Sequence, residues 1–303
     1  MAQIALSVKE GGLWHIYRMN LDGSGLTQLT FGPQDEVNPA WSPNGGQLLY
    51  EARLGNQWQV VRMNWDGSQP VPLTRAGNNR NAAWASDGKH IVFDSDRDGN
   101  RDIYMMDLDG ANQVALTHNS ANEYAPVWSP DESMIAYLSE QNATADDCTQ
   151  NAFDECPREV FIMDAAGGFL KKVPDVKEWL FDVTWSPDGQ RLAVLKQYVE
   201  GSGLALYAWP SLTALPDVPL RVAAAYPAGP GYYWIQSFSY SPSGNNGTFC
   251  FNEDHPGSAV RRINGCYVLG LQDDMLYTLV RDGKFPAGNP DHPGTYADAV
   301  WQP

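Results

Sequence analysis

VTWSPDGQRLAVL, residues 183–195, reads as one strand, a tight turn and a second strand. Val183, Thr184 and Trp185 favour extended backbone. Ser186-Pro187-Asp188-Gly189 joins a proline-set φ to a glycine free to take positive φ, and Arg191 to Leu195 resumes an apolar run. Near-copies stand at PAWSPNGGQLLYE (39–51), AAWASDGKHIVFD (82–94), PVWSPDESMIAYL (126–138) and FSYSPSGNNGTFCF (238–251). With Trp41, Trp84, Trp128, Trp185 and Tyr240 as markers, the spacings are 43, 44, 57 and 55 residues, about the length of one four-stranded propeller blade.

A sixth marker bears on closure. The chain ends TYADAVWQP, with Trp301 where a hairpin turn should follow, and opens AQIALSVKEGGLWHIYRMNLDGSGLTQLT, which reads like a repeat lacking its first strand. Joining the ends puts Trp301 and Trp41 43 residues apart, equal to the shortest internal spacing. The expectation is an all-β, six-bladed propeller of four-stranded antiparallel blades, closed by the C-terminal strand joining the N-terminal blade. One domain spans 1–303, with blades at 296–303 with 1–30, 37–74, 80–117, 124–173, 180–225 and 233–280. The other strands are also legible: an aromatic and β-branched run such as RDIYMMD (101–107), a turn such as LDGA, and a short strand ending in LT at 29–30, 73–74 and 116–117.

Composition agrees. The 303 residues are 43% hydrophobic with 28 Gly and 21 Pro, which suits short strands and turns and argues against disorder or a helical bundle. No apolar run is long enough to span a bilayer as a helix, and no signal-peptide pattern opens the chain. Net charge is −16, from 20 basic and 36 acidic residues, which repels nucleic-acid phosphates and anionic headgroups. The reading is therefore no nucleic acid, no membrane insertion and a monomer.

The word W-S-P-D-G, the strand after it, the segment SDRDGNRDIYMMDLDG (95–110) and the terminal LT together resemble the TolB-type, WD40-like propeller repeat of bacterial envelope and secreted proteins. The resemblance is strongest over 37–138 and weakest over 203–295. It implies a binding platform engaging ligands at the channel mouth, in the periplasm or outside the cell. TolB itself carries a separate amino-terminal domain, and this chain opens inside a blade, so the expectation is a relative and not TolB.

Cys148 and Cys156 flank an insertion, CTQNAFDEC, while Cys250 and Cys266 lie on neighbouring strands. Four cysteines allow three connectivities; the two local pairings are the simplest, and disulfides point to export. No closely spaced cysteine pair of the zinc-binding kind is present. DSDRDGNRD places Asp94, Asp96 and Asp98 like the opening of a calcium loop, but Met105 stands where a bidentate glutamate belongs. A strand-connecting turn is the favoured reading, so no cofactor is expected, with calcium the alternative.

No G-x-S-x-G, H-E-x-x-H or sialidase Asp-box is present. The candidate site follows from the repeat: the segments entering each first strand meet at the channel mouth. They supply Asp35, Glu36, Asn79, Arg80 and Glu123 on one half, and Trp179, Phe181, Asp182, Tyr232, Tyr233, Trp234, Tyr296 and Asp298 on the other. One half is polar and acidic, the other aromatic. The long segments 222–234 and 281–296 would stand beside the aromatic half. Rings with nearby carboxylates and amides suit a peptide, a protein loop or a glycan. The alternative is a carbohydrate-active lyase or hydrolase using Glu36, Glu123, Asp182, Asp298 and His292.

Overall fold

The structure is a computed structural model. It describes all residues except 1–2, 21–23, 145–147, 149–155, 175–178, 199–200, 216–233, 242–245, 253–263, 271–275, 282–294 and 302–303. For residues 197–198, 201–202, 234–237, 246–252, 264–270, 276–281 and 295–301 the description is of the backbone alone.

The hairpin at 183–195 shows how each blade starts. Ser186 N–H donates to Arg191 O at 2.8 Å, Gly189 N–H to Ser186 O at 2.8 Å, and Ser186 Oγ–H to Asp188 Oδ1 at 2.5 Å. Gly189 has φ +67°, the left-handed region that a side chain would resist. The turn joins two antiparallel strands, and repetition of this plan builds antiparallel sheets of four.

The first blade contains β1 (Gln3–Glu10), β2 (Leu13–Asn20) and β3 (Thr27–Gln28). The second contains β4 (Glu36–Trp41), β5 (Gln47–Leu54), β6 (Gln57–Asn64) and β7 (Val71–Pro72), and the third β8 (Asn79–Trp84), β9 (His90–Ser95), β10 (Asp102–Asp107) and β11 (Val114–Ala115). The fourth has β12 (Glu123–Trp128), β13 (Met134–Ser139), β14 (Glu159–Asp164) and β15 (Phe169–Lys172). The fifth has β16 (Trp179–Trp185), β17 (Arg191–Tyr198), β18 (Gly201–Ala208) and β19 (Thr213–Ala214). A further sheet has β20 (Trp234–Tyr240), β21 (Asn246–Asn252), β22 (Asn264–Gly270) and β23 (Leu276–Arg281), its side chains described only at 238–241. The last strand, β24 (Thr295–Trp301), pairs antiparallel with β1, Ile4 opposite Trp301. First strands contact in order: β4 with β8, β8 with β12, β12 with β16, β16 with β20, β20 with β24, and β24 with β4.

The core lies between blades. Trp41 packs with Ala5, Ile16 and Leu29 of the first blade and Leu48 and Met63 of the second. Trp128 joins Ala85, Val92, Ile103 and Leu116 of the third blade to Ile135 and Met163 of the fourth. Trp185 does the same one blade on and meets Trp209 edge-on at 5.2 Å. Trp84 differs from Trp41, Trp128, Trp185 and Tyr240: it is only partly buried, its Nε1–H donating to Ala40 O at 3.0 Å across the seam.

At three of the seams a glycine sets the spacing. Gly67, Gly110 and Gly167 have φ of +85°, +84° and +88°, and a Cβ there would lie 2.6, 2.8 and 2.6 Å from the carbonyl oxygens of Leu29, Leu73 and Leu116 in the preceding blade. Both the conformation and the close approach require glycine.

Candidate functional site

The strand order places the start of every first strand on the same face as the connection from second to third strand. The segments entering β4, β8, β12 and β16 therefore share one face with the disulfide-bearing insertion between β13 and β14. Cys148 and Cys156 are bonded there, with Cα atoms 4.1 Å apart.

Along these strands each position has one task. Asp35, Asn78 and Asn122 cap the third strand of the preceding blade, accepting the backbone N–H of Trp14 (3.1 Å), Trp58 (3.1 Å) and Arg101 (3.1 Å). The next position forms a buried latch: Glu36 meets His15 Nδ1 at 3.0 Å, and Asn79 Nδ2–H donates to Gln59 Oε1 at 3.0 Å. In the third latch Glu123 takes the place of Glu36, and Asp102 that of His15. Behind each stands a threonine, Thr30, Thr74 or Thr117, whose hydroxyl accepts a third-strand backbone N–H at 2.9 Å.

Two residues further on, the strand bulges. Asn38, Asn81 and Ala125 have φ of 57°, 51° and 49°, and carboxylates of the second strands hold these bulges. Glu51 accepts Asn38 Nδ2–H (2.7 Å), Arg80 Nε–H (2.8 Å) and Asn81 N–H (2.7 Å). Asp94 accepts Asn81 Nδ2–H (2.6 Å), Ala125 N–H (3.1 Å) and the Arg101 guanidinium. Burial raises the Asp94 pKa, against the pull of Arg101 and Asn81. In the fifth blade Asp182 itself occupies the bulge position, accepting Phe238 N–H of the next sheet at 3.1 Å.

The aromatic side begins at Tyr124. Its hydroxyl donates to Glu140 Oε1 at 2.7 Å, and Glu140 Oε2 accepts Asn122 Nδ2–H at 3.0 Å. Arg158, on the far stem of the insertion, lies 4.2 Å from the Tyr124 ring centre, 5.9 Å from that of Phe181 and 3.7 Å from Glu140. Both stems of the insertion are thus tied to the rings of the mouth. Arg80 lies over Trp58 at 4.8 Å in the same manner.

The TolB β-propeller domain family matches residues 1–145. That part of the chain belongs to it. Among solved structures, TolB from Acinetobacter baumannii is 15% identical, with a TM-score of 0.75 over all of this chain and 67% of that one. A nidogen/laminin complex is 10% identical, with a TM-score of 0.65 over 100% and 99% of the two chains. An oligogalacturonate lyase from Vibrio parahaemolyticus is 14% identical, with a TM-score of 0.57 over 93% and 75%. Identities this low speak to the fold alone. No curated protein matches the chain.

Against this TolB-type frame, the predicted mouth residues divide into three groups. Glu36, Asn79 and Glu123 are 3%, 0% and 0% exposed, inside the seams between blades and not on an open rim. Asp35, Arg80 and Asp182 are part-buried, each committed to the backbone or to a carboxylate. Trp179 and Phe181 are half-buried on the first strand of the fifth blade. Tyr232, Tyr233 and His292 lie outside the described residues, and Trp234, Tyr296 and Asp298 are described as strand backbone only. Cys250 and Cys266 are opposite one another in register, their side chains outside the described residues.

The three carboxylates of the calcium-like segment do not share a centre: Asp94 turns to Arg101, Asp96 accepts Asn78 N–H at 2.6 Å, and Asp98 accepts the Tyr104 hydroxyl. Among the described residues no group of three His, Cys, Asp or Glu side chains is placed to hold a metal, and no helix is long and apolar enough to cross a membrane. Glu51, Glu140, Arg101 and Arg158 escaped sequence reasoning. Glu51 and Asp94 share one repeat position, which was the available signal; Arg158 follows an insertion with no counterpart in other blades.

Proposed function

We propose that the chain is a non-enzymatic binding propeller of an oxidising compartment, periplasmic or extracellular, which holds a peptide, protein loop or glycan at the face carrying Tyr124, Trp179 and Phe181. One observation carries this reading. Glu36, Glu51, Asp94 and Asp182 are committed to fixed donors in the seams, whereas the rings beside the stapled insertion retain accessible surface. A committed acceptor makes a rigid frame, and a half-buried ring offers a stacking face. A glycoside hydrolase would need two carboxylates open to one substrate, and Glu36 and Glu123 are buried in separate seams.

We also take the frame to be a closed ring of six blades. Six four-stranded sheets, the β24–β1 pairing and the cyclic order of first-strand contacts support this count. The Cys148–Cys156 bond supports the compartment.

The test pairs thermal melting with binding to glycan and peptide arrays for wild type, Trp179→Ala and Phe181→Ala. A ring that stacks on ligand loses roughly tenfold to a hundredfold in affinity when truncated, with little change in melting temperature. Binding that survives both changes, or a collapse of stability in both, assigns these rings to the core.

A further inference from the structure

Three successive seams place two polar side chains at the same pair of repeat positions. The first pairs His15 with Glu36, and the second pairs Gln59 with Asn79, each at 3.0 Å. In both, one member can donate a hydrogen to the other as it stands. The third seam places Asp102 and Glu123 there, 5% and 0% exposed. Ionised carboxylates only accept, so this pair has no donor of its own.

The surroundings supply too few. Thr117 Oγ–H donates to Asp102 Oδ1 at 3.3 Å and lies beside Glu123 as well, the Asn100 amide stands by Asp102, and Asn119 Nδ2–H donates to Glu123 Oε1. Glu123 Oε2 is buried with no hydrogen-bond partner. The charged and titratable groups facing the pair are Asp98 from the β9–β10 connection, His118 from the β11–β12 connection and Tyr137 from β13. Asp98 adds a like charge, and the His118 imidazole faces both carboxylates.

We propose that the seam between the third and fourth blades holds a proton shared by Asp102 and Glu123, and that this seam loosens as the proton is withdrawn. The proton comes from and returns to water, and no other bond changes. It supplies the missing donor, making the pair the equivalent of the Gln59–Asn79 latch. Burial raises both carboxyl pKa values, assisted at Glu123 by the charge of Asp102 and at Asp102 by that of Asp98. The sign follows: a carboxyl whose folded pKa is raised gives its full stabilisation below the ordinary carboxylate range, and loses it as pH rises through the raised value.

The test compares melting temperatures of the full chain, wild type against Glu123→Gln and separately Asp102→Asn, from pH 5 to pH 8. Each amide replaces the proton permanently. The variants should melt close to wild type at pH 5, and their advantage should open by about 2–4 °C by pH 8. The variant-to-wild-type difference is read because other carboxylates also titrate. Hydrogen exchange at residues 117–125 should rise with pH in wild type beyond the intrinsic increase, and not in the variants. A gap that stays constant with pH, in both variants, overturns the proposal. So does a wild type that is stabilised at pH 8 by millimolar calcium or magnesium when Glu123→Gln is not, since a cation would then hold Oε2.

Discussion

The seam between the second and third blades and that between the fourth and fifth occupy the same place in the repeat but are built from opposite materials. In the former, Gln59, Thr74, Asn79 and Glu51 are buried and hydrogen-bonded. In the latter, Pro174 stands at the threonine position, Leu180 replaces the asparagine and Leu138 the carboxylate; the two leucines join one apolar cluster with Val160, Val173 and Val183, and only Glu159, at the Gln59 position, keeps a polar group there. A polar latch adds little net free energy but penalises any partner that leaves a group unmatched; an apolar seam stabilises in proportion to buried area and tolerates reshaping. The three polar seams all fall within residues 1–145, the part matched by the TolB family. Beyond it the repeat keeps its shape with fewer of the polar groups that make it recognisable.

The largest expected effect comes from copying the apolar solution into a polar seam. Asp94→Leu, imitating Leu138, would strip Arg101, Asn81 and Ala125 N–H of their acceptor. It should cost about 3–5 kcal/mol in denaturant unfolding, because a partly buried guanidinium is left unpaired. A loss under 1 kcal/mol would mean that the two kinds of seam are interchangeable. Leu180→Ala, in the apolar seam, should cost about 3 kcal/mol by transfer and cavity terms. Its loss should scale with the volume removed, so Leu180→Val ought to cost much less. Thr74→Val keeps the shape but removes the acceptor for Val60 N–H and the donor to Gln59 Oε1. About 1–2 kcal/mol is expected, with faster hydrogen exchange at Val60 as the local readout.

The smallest effect belongs to the exposed turns. Hydrogen bonds from Ser129 and Ser133 hold the Asp131 carboxyl below its usual range, so its contribution is present at neutral pH and lost as pH falls through the lowered value. Asp131→Asn should change stability by no more than about 0.5 kcal/mol and slightly flatten the acid limb of the melting curve.

How far the sequence could be read follows the same division. The hairpin words marked the first two strands of each blade because proline, aspartate and glycine act within five residues, and local chemistry is visible locally. The latches were not legible as latches: Glu36 needs His15, 21 residues earlier, and Asn79 needs Gln59, 20 residues earlier. Without that pairing a polar run at a strand start looks like a rim. Trp179 and Phe181 are half-buried on β16, a strand legible in the sequence because its hydrophobic pattern has its partner strand close by. Tyr124 was passed over, because a lone tyrosine among polar neighbours gives no sign that Glu140 and Arg158, across an insertion, will frame it.

The glycines at 67, 110 and 167 carry one more consequence. The second and third repeats each bring a Leu-Thr end, which offers a carbonyl, and a turn glycine, which fits against the carbonyl of the repeat before it. The joint is head-to-tail, so a duplicated unit carries both halves and can dock on its own copy as well as on its parent. Such joints give either an open spiral or a circle, and the wedge angle of the blade decides which. Growth by copying is therefore written into a contact that only glycine can make.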